Sequence, residues 1–549
     1  MNEKWWGWGD LNKSFNLKDK PYFIPFLEDI FERKLLIDNK PVSIDSISLP
    51  PVRLNDEFIS KIENIVDKKN CQTSKIDRLY HCYGKSYKDL VRIRKGIIET
   101  CPDAVVYPRN NDEIIKILNV ANENNIIVVP FGGGTSVVGG LEVGINKPYI
   151  VLDLSRNMNK IINLDKDSLL ATFQAGIKGP EIERILNESG FTLSHYPQSF
   201  EFSTLGGWVA TRSAGQQSTK YGKIEKMVNS LKMIYINGEI ETKKLPMKAT
   251  GPDLENILIG SEGIFGIITE VTVKIHYLPE KKDYRAYLFE NFQSGINFIQ
   301  DLIQKHEIYP AMIRLSDETE TKLLFKLSEK KNLIRKITSS FISNYIKNVK
   351  KFETENSALM LIGLEGSKTD VDNKNNIISK ILENYKHLKL GKSIGDKWYK
   401  TRFDLPYLRD SLMDMSIMVD TLETSTIWSN IENLYFSVRN SINKGIEEVS
   451  KKGLVACHIS HVYHEGASLY YTFASPMKKG YELEQWKIIK NYATDAIANN
   501  NGSISHHHGI GSDHSKWLKK QIDIEGINII KSLKNHFDPN AILNPQNIL

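Results

Sequence analysis

The chain has 549 residues, of which 41% are hydrophobic and 25% charged, and its net charge is +6. This balance is ordinary for a globular protein of two or three domains, and a mild, dispersed positive charge does not indicate a nucleic-acid partner. The sequence contains no apolar run of membrane-spanning length, no apolar core of a secretory signal near its N-terminus, and four cysteines without metal-ligand spacing.

Hydrophobic periodicity divides the chain into four regions, at 1–96, 97–278, 279–500 and 501–549. The first reads as mixed and mostly helical, and the second alternates short apolar strands with helical patterns and glycine turns. Strands are predicted at 104–107, 126–129, 149–152, 169–173, 267–275 and 358–364. Helices are predicted at 58–66, 112–125 and 428–449, with a basic amphipathic helix from Ser515.

One glycine-rich run directly follows the predicted strand 126–129. It reads Pro130-Phe131-Gly132-Gly133-Gly134-Thr135-Ser136. Glycine can turn with positive φ, so several backbone N–H groups can face one anion such as a diphosphate. Neither the G-x-G-x-x-G nor the G-K-[ST] pattern is present, which argues against a Rossmann or P-loop site. Taken alone, the run fits a tight turn between strands equally well.

Two further glycine clusters lie in the same region, each beside a predicted strand. One contains Gln198-Ser199-Phe200-Glu201-Phe202-Ser203-Thr204 and continues through Thr211-Arg212-Ser213-Ala214. The other reads Gly260-Ser261-Glu262-Gly263-Ile264-Phe265-Gly266. Three such loops supply many N–H groups around one long anionic ligand, so together they predict a dinucleotide site.

The order of these motifs resembles the FAD-binding domain of the vanillyl-alcohol oxidase and p-cresol methylhydroxylase superfamily. Within it, the chain resembles the alkyldihydroxyacetonephosphate synthases from residue 4 to residue 549. The matching motifs are Lys4-Trp5-Trp6-Gly7-Trp8-Gly9, Ile313-Arg314-Leu315, Tyr407-Leu408-Arg409-Asp410, Glu423-Thr424-Ser425 and the triple histidine before Gly509. At the position of the triple histidine and Gly509, the related hydroxyacid dehydrogenases carry G-E-H-G. Gln198 departs from the synthases, which have an acidic residue there.

The resemblance implies an α+β fold. A two-subdomain FAD-binding domain is expected at 97–278, an α+β substrate or cap domain at 279–500, and a helical C-terminal segment with the histidine loop at 501–549. FAD is expected to be non-covalent. The implied reaction exchanges the acyl chain of acyl-dihydroxyacetone phosphate for a long-chain fatty alcohol. It runs through a covalent adduct at FAD N5, with no net redox change.

The resemblance also assigns candidate roles to single residues. Arg409 is expected to bind the substrate phosphate, since a guanidinium holds phosphate through two hydrogen bonds; a surface ion pair with Asp410 or Asp404 is the alternative. Arg314 is expected near the substrate or the flavin. Tyr470 is expected to be the catalytic tyrosine, with its neighbour Tyr471 as the alternative.

The run His506-His507-His508 is the most specific signal in the chain. Three adjacent histidines do not face one way on a strand, so this run alone predicts no metal site. A loop with one or two rings facing the flavin fits better, because histidine passes protons near neutral pH. His508, shared with the dehydrogenases, is predicted to be the proton acceptor. His507 is expected beside it, and His506 is expected to anchor the loop.

Two rival functions remain open at this point. One is an FAD-linked 2-hydroxyacid dehydrogenase, and the other is an inactive flavoprotein that tethers an acyltransferase. The chain is expected to be a homodimer. It is expected in the cytoplasm or on a membrane surface, bound through basic segments at 326–351 or 515–532. A peroxisomal location follows from the family, although the chain shows no import signal.

Overall fold

A computed structural model describes residues 2–144, 147–328 and 356–549, which form three main β-sheets, a two-stranded sheet of Phe191–Thr192 and His276–Tyr277, and flanking helices. The first sheet has the strand order Cys71–Gln72, Ala104–Val106, Tyr149–Asp153 and Ile127–Phe131. Its last three strands are parallel and buried, as expected for strands covered on both faces. The second sheet is antiparallel, with the order Ile161–Asp165, Leu170–Gln174, Ile267–Lys274, Val228–Tyr235 and Gly238–Glu241.

The third sheet, called the large sheet below, has seven antiparallel strands. Their order is His387–Gly391, Lys281–Phe289, Ala358–Gly366, Met312–Ser316, Leu454–Val462, Gly466–Pro476 and Ile417–Ile427. One face packs on the helices Phe292–Gln300, Lys368–Leu382, Ile431–Val449 and Glu482–Asn499. Because side chains alternate along a strand, the other face is free to carry polar residues into a cavity.

The remaining helices frame the sheets. They are Phe23–Phe31, Asp56–Val66, Lys75–Tyr80, Tyr87–Arg94, Asn111–Glu123, Gly179–Glu188, Leu205–Ala210, Ser218–Tyr221, Ile224–Met227, Leu254–Leu258, Glu318–Ser328, Lys392–Thr401, Leu405–Asp414 and Ser515–Phe537. Several begin at a side-chain cap, as at Asn55 and Asn110, whose amide oxygens accept the N–H of the third helical residue. No helix in the described ranges is long and apolar enough to cross a bilayer.

The strands and helices predicted from the sequence are present, with ends shifted by a few residues. The predicted helix 428–449 begins later, at Ile431, because a short 3₁₀ turn precedes it. The basic helix from Ser515 runs to Phe537 but is interrupted at Asp523, which has a non-helical backbone. The basic segment 326–351 lies outside the described residues apart from its first three positions.

Both ends of the chain join cores built mainly by its middle. Trp5 and Trp517 belong to the core that covers the large sheet. Phe537 and Leu543 belong to the core of the first two sheets, and Leu543 forms a parallel bridge with Val128. The four-region division stays a prediction, and the terminal segments are tied to other regions by buried contacts.

Candidate active site

A cavity of about 500 Å³ lies between the glycine loops and the open face of the large sheet. Predicted site residues from the three glycine clusters and from the arginine, tyrosine and histidine motifs line it. They are Pro130, Phe131, Gly132, Gly133, Gly134, Thr135, Ser136, Gln198, Ser199, Ser203, Thr204, Thr211, Ser213, Ala214, Glu262, Gly263, Gly266, Arg314, Arg409, Tyr470, His507 and His508. Residues separated by hundreds of positions in the chain therefore share one site.

The three glycine loops pack directly on one another. A Cβ on Gly132 would lie 2.1 Å from Thr204 Oγ1, and one on Gly133 would lie 2.1 Å from the carbonyl oxygen of Phe202. A Cβ on Gly263, whose φ is +80°, would lie 2.4 Å from Pro130. These glycines are required because the loops approach more closely than any side chain permits.

The first glycine loop presents backbone donors that have no partner among the residues that the structure describes. The N–H groups of Gly132, Gly133, Gly134 and Thr135 donate to no acceptor within the described ranges. Backbone donors are almost always paired in folded proteins, so a row of free N–H groups beside a cavity is suited to the oxygens of a diphosphate. The donor set and the close glycine packing fit the FAD that the sequence predicts.

Some predicted cofactor residues lie behind the cavity wall. Phe200 stacks on Phe403, Phe202 meets Trp8 edge to face, and Arg212 donates to the carbonyl oxygen of Asn256. Glu201, Gly260, Ser261, Ile264 and Phe265 also contribute no part of the wall. His195, which precedes the second glycine cluster, is buried against Trp208, with Nε2 3.3 Å from Ser213 Oγ.

Glu262 joins the third glycine loop to the C-terminal segment. Its two carboxylate oxygens accept the N–H groups of Ile510 at 2.6 Å and Gly511 at 2.8 Å. Burial raises the pKa of Glu262 to about 7, although these two donors oppose the shift. The contact holds the residues that follow the histidine run against the third glycine loop.

Glu423 holds the histidine loop from the other side. This buried carboxylate, on strand Ile417–Ile427, accepts the hydroxyl of Ser505 and the N–H groups of His506, His507 and His508. Burial alone would raise its pKa, but the neighbouring imidazoles and these donors outweigh burial and leave the pKa of Glu423 lowered. In the sequence, Glu423 stands out only as part of a family motif, and its role in holding the histidine loop is visible only in the structure.

The three histidine rings take different positions. His506 is buried outside the cavity, with Nε2 2.6 Å from Tyr463 Oη. His507 and His508 line the cavity beside Tyr470, stacked on it and edge-on to it respectively. Burial lowers the pKa of all three, and the nearby Glu423 partly offsets the effect at His508. The loop therefore presents two mainly neutral imidazoles, both able to accept a proton.

The alternation of side chains along strand Gly466–Pro476 separates the two candidate tyrosines. Tyr470 faces the cavity and stacks on His458, with ring centroids 4.8 Å apart. Tyr471 points into the core, where its hydroxyl donates to the carbonyl oxygens of Leu434 and Tyr435. Burial raises the pKa of Tyr470 to about 12, so its hydroxyl stays protonated and can donate a hydrogen bond.

Arg314 belongs to a buried polar group that the sequence did not reveal. Its Nη2 donates to Glu320 Oε1 at 2.9 Å and lies 3.1 Å from His458 Nδ1, which is itself 2.9 Å from the same carboxylate oxygen. Burial opposes ionisation of Glu320, but Arg314 and His458 outweigh it and lower the pKa of Glu320 to about 2. Arg314 thus has a protein counter-ion already in place.

A β-bulge brings His458 and His461 to the same side of their strand. Neither histidine was predicted from the sequence as a site residue. Residues three apart on a regular strand face opposite sides, yet both of these histidines line the cavity. The register with strand Gly466–Pro476 shifts between Ile459 and Val462. The extra residue turns His461 to the side of His458.

Arg409 lies on helix Leu405–Asp414 and lines the cavity, and its side chain has no counter-ion in the described part of the chain. No hydrogen-bond or ion-pair partner reaches it from the described part of the chain, and its Nε is buried. Burial is the main cause of its lowered pKa. The ion pairs considered from the sequence do not form, because Asp410 pairs with Lys4 and Asp404 pairs with Lys13.

One arm of the cavity is apolar. It lies between helices Phe23–Phe31, Glu318–Ser328 and Leu405–Asp414 and the edge of the large sheet. Its walls are formed by Phe23, Leu27, Leu323, Leu324, Leu327, Leu408, Leu412, Ile417, Val419, Leu454 and Ala474. Arg409 is adjacent in sequence to Leu408, so the charged and apolar parts of the cavity meet at this helix.

Within residues 2–144, 147–328 and 356–549, two groups of side chains have the spacing of metal ligands. The possible ligand atoms of His461, His506 and His507 lie within 4.8 Å of one another, and so do those of Glu423, His507 and His508. Geometry alone would let either group hold a metal ion, whereas the sequence predicts no metal. In the second group, Glu423 already accepts four hydrogen bonds.

The glycine-lined cavity and the sheet arrangement define a flavoenzyme that binds FAD. The family described as "FAD binding domain" matches residues 102–243, and that described as "FAD linked oxidases, C-terminal domain" matches residues 278–548. The matches include the first two glycine loops and the histidine loop. FAD is therefore the cofactor, as predicted.

Relatives across the whole chain identify the family. A protein of Dictyostelium discoideum named alkyldihydroxyacetonephosphate synthase is 34% identical over all of this chain and 93% of its own length. One of the same name from Trypanosoma brucei brucei is 33% identical over 100% and 92%. A solved alkyldihydroxyacetonephosphate synthase superposes with a TM-score of 0.86 at 32% identity, covering 100% of this chain and 99% of the other. The chain belongs to the alkyldihydroxyacetonephosphate synthase family, and the α+β fold predicted from the sequence is confirmed.

Proposed function

We propose that this enzyme exchanges the acyl chain of acyl-dihydroxyacetone phosphate for a long-chain fatty alcohol, forming the ether bond of an ether lipid. The observation that carries the proposal is Arg409, a guanidinium without a partner among the described residues, which lines the cavity beside Leu408 of its apolar arm. A substrate with a phosphate and a long alkyl chain satisfies both parts at once. The full-length relatives bear the corresponding name.

The side chains of the cavity support a division of labour. Arg409 binds the phosphate, and the apolar arm holds the alkyl chain and excludes water. His508 takes the proton from the substrate carbon, assisted by His507, and the protonated hydroxyl of Tyr470 donates to a substrate oxygen. The glycine loops would hold FAD non-covalently, and the bound flavin would supply a reversible attachment point for the substrate carbon with no net redox change.

Product analysis tests this proposal directly. The holoenzyme, incubated with palmitoyl-dihydroxyacetone phosphate and labelled hexadecanol, is expected to release palmitate and to form labelled alkyl-dihydroxyacetone phosphate. The flavin spectrum should end in the oxidised form. Bleaching of the flavin by a 2-hydroxyacid, with turnover of a dye acceptor, would instead support the rival dehydrogenase. Absence of both activities would support the inactive tether.

We further propose that the enzyme binds membranes peripherally and reversibly, in the cytoplasm or on an organelle surface, and that it is a homodimer. Helix Ser515–Phe537 supports the membrane proposal, because Ile524 and Ile529 are exposed among the lysines of the same helix. Such a surface suits anionic lipid, since apolar insertion and charge attraction add together.

Sedimentation with anionic vesicles should show this association. We expect binding at low salt that weakens as salt rises, because screening reduces the attraction between lysines and lipid head groups. Replacing Ile524 and Ile529 by serine should reduce the bound fraction, whereas neutral vesicles should bind little of the native enzyme. Failure to sediment even at low salt would contradict the proposal.

A further inference from the structure

The N-terminal turn, residues 3–10, forms a buried contact with the helix that carries Arg409. The turn is closed by Lys4 N–H, which donates to the carbonyl oxygen of Gly9 at 2.8 Å. Lys4, Trp5 and Trp8 are buried. The sequence identifies this segment as a family motif without giving it a role.

The turn occupies both oxygens of Asp410, the residue next to Arg409. Lys4 Nζ lies 3.1 Å from Oδ2, and the N–H of Trp8 lies 3.2 and 3.0 Å from the two oxygens. A Cβ on Gly7 would lie 2.5 Å from Asp410 Oδ2, so glycine is needed for the approach. The carboxylate closest to Arg409 in sequence is thereby neutralised by another cation.

The same segment contacts two more positions on this face of helix Leu405–Asp414. The N–H of Asp10 donates to Tyr407 Oη at 3.2 Å, and Lys13 Nζ lies 2.9 Å from Asp404. Positions 404, 407 and 410 are three apart and share one helix face. Arg409 reaches the cavity instead, so the face that binds the turn is distinct from the face that binds ligand.

The other side of the turn is anchored beside the flavin loops. Tyr80 Oη donates to the carbonyl oxygen of Glu3, and Lys85 Nζ donates to that of Lys4 at 3.0 Å. Lys178 pairs with Glu3 at 2.8 Å. Trp8 packs edge-on against Phe202 of the second glycine cluster. The turn therefore links the flavin-binding part of the chain to the arginine helix.

We propose that Lys4 is a positioning residue: by neutralising Asp410 it leaves the Arg409 guanidinium available to the phosphate of the substrate. The inference rests on the proposed function for the identity of that substrate. Without Lys4, the buried Asp410 carboxylate would lack its cation, and its charge would act more strongly on the neighbouring Arg409, which it already influences. An arginine paired with Asp410 would lose affinity for an anion.

Charge-removal variants of the FAD-loaded enzyme test this role, with inorganic phosphate as the calorimetric probe. Lys4→Met should weaken phosphate binding about tenfold and raise KM for acyl-dihydroxyacetone phosphate by a similar factor, the scale of one charge-assisted hydrogen bond. The value of kcat should change much less, and FAD content should be unchanged. Lys4→Arg, which retains the charge, should bind phosphate nearly as the native enzyme does.

The double variant Lys4→Met with Asp410→Asn separates charge balance from packing. Asparagine keeps an oxygen for the Trp8 N–H but removes the charge that Lys4 balances, so phosphate binding should return to near the native value. Asp410→Asn alone, which keeps the lysine, should bind phosphate at least as well as the native enzyme. Lys95→Met is the matched control, because Lys95 pairs with the buried Glu482 outside the cavity and should leave phosphate binding unchanged.

Some outcomes would overturn the inference about Lys4, and one would overturn only the proposed function. Native affinity in Lys4→Met would remove Lys4 from this role. A double variant as weak as Lys4→Met, or a loss in Asp410→Asn, would assign the turn to packing alone. Native enzyme that fails to exchange acyl for alkyl chains, yet binds phosphate in a Lys4-dependent manner, would reject the proposed function and retain the positioning role.

Discussion

Replacing His508 with alanine is expected to reduce alkyl exchange by about 10²–10⁴-fold, the usual contribution of a general base. The ring of His508 lies in the cavity beside Tyr470, with Nδ1 3.5 Å from Glu423 Oε1. Alanine retains the backbone N–H that donates to Glu423, so the loop should keep its conformation and FAD should stay bound. The measurement is loss of labelled fatty acid, together with flavin absorbance.

The neighbouring histidines provide matched comparisons. His507→Ala should also be severely impaired, because its ring shares the cavity with His508. His506→Ala should be only partly impaired, since His506 lies outside the cavity against Tyr463. Exchange close to the native rate in His508→Ala would contradict the assignment of the proton acceptor.

The pH dependence of the native enzyme should also reflect the protonation of His508. Burial lowers the pKa of His508 below its ordinary value of 6.5, despite the opposing effect of Glu423. The neutral ring that accepts a proton therefore persists below pH 6.5. Activity should fall only at lower pH, once the imidazole is protonated in the free enzyme. This limb should be absent from the residual activity of His508→Ala.

Replacing Arg409 with lysine is expected to weaken substrate binding by about 1.5–3 kcal/mol, or roughly 10- to 150-fold. Lysine keeps the positive charge but loses the planar guanidinium that can hold phosphate through two hydrogen bonds. Arg409 has no counter-ion among the described residues, so the substitution leaves no carboxylate unpaired there. FAD content, measured after acid precipitation, should match the native enzyme.

A matched control distinguishes this effect from a general loss of stability. Arg285→Lys changes an arginine that pairs with Asp283 on the large sheet, outside the cavity, and should leave substrate affinity unchanged. Native kinetics in Arg409→Lys would remove Arg409 from the phosphate site. Equal losses in both variants would assign the effect to stability.

Local patterns in the sequence determined the elements and indicated a dinucleotide site, and the resemblance to a family identified the dinucleotide as FAD. Alternating and helical hydrophobic periods predicted most strands and helices, because each period reflects which side of an element is buried. The glycine loops predicted a dinucleotide, since glycine is the residue that close backbone approach requires, as Gly133 shows against Phe202. These signals are local. The candidate catalytic and substrate-binding residues came from the family motifs instead.

The partners of each charged or polar side chain were decided only by the tertiary structure. The alternative considered for Arg409 was an ion pair with Asp410 or Asp404, but Lys4 pairs with the Asp410 carboxylate from 406 positions away. A bulge turns His461 into the cavity beside His458, and strand alternation sends Tyr471 into the core. The pairing of strands that are distant in sequence sets these orientations. Local hydrophobic periodicity does not reveal which strands pair or in which register.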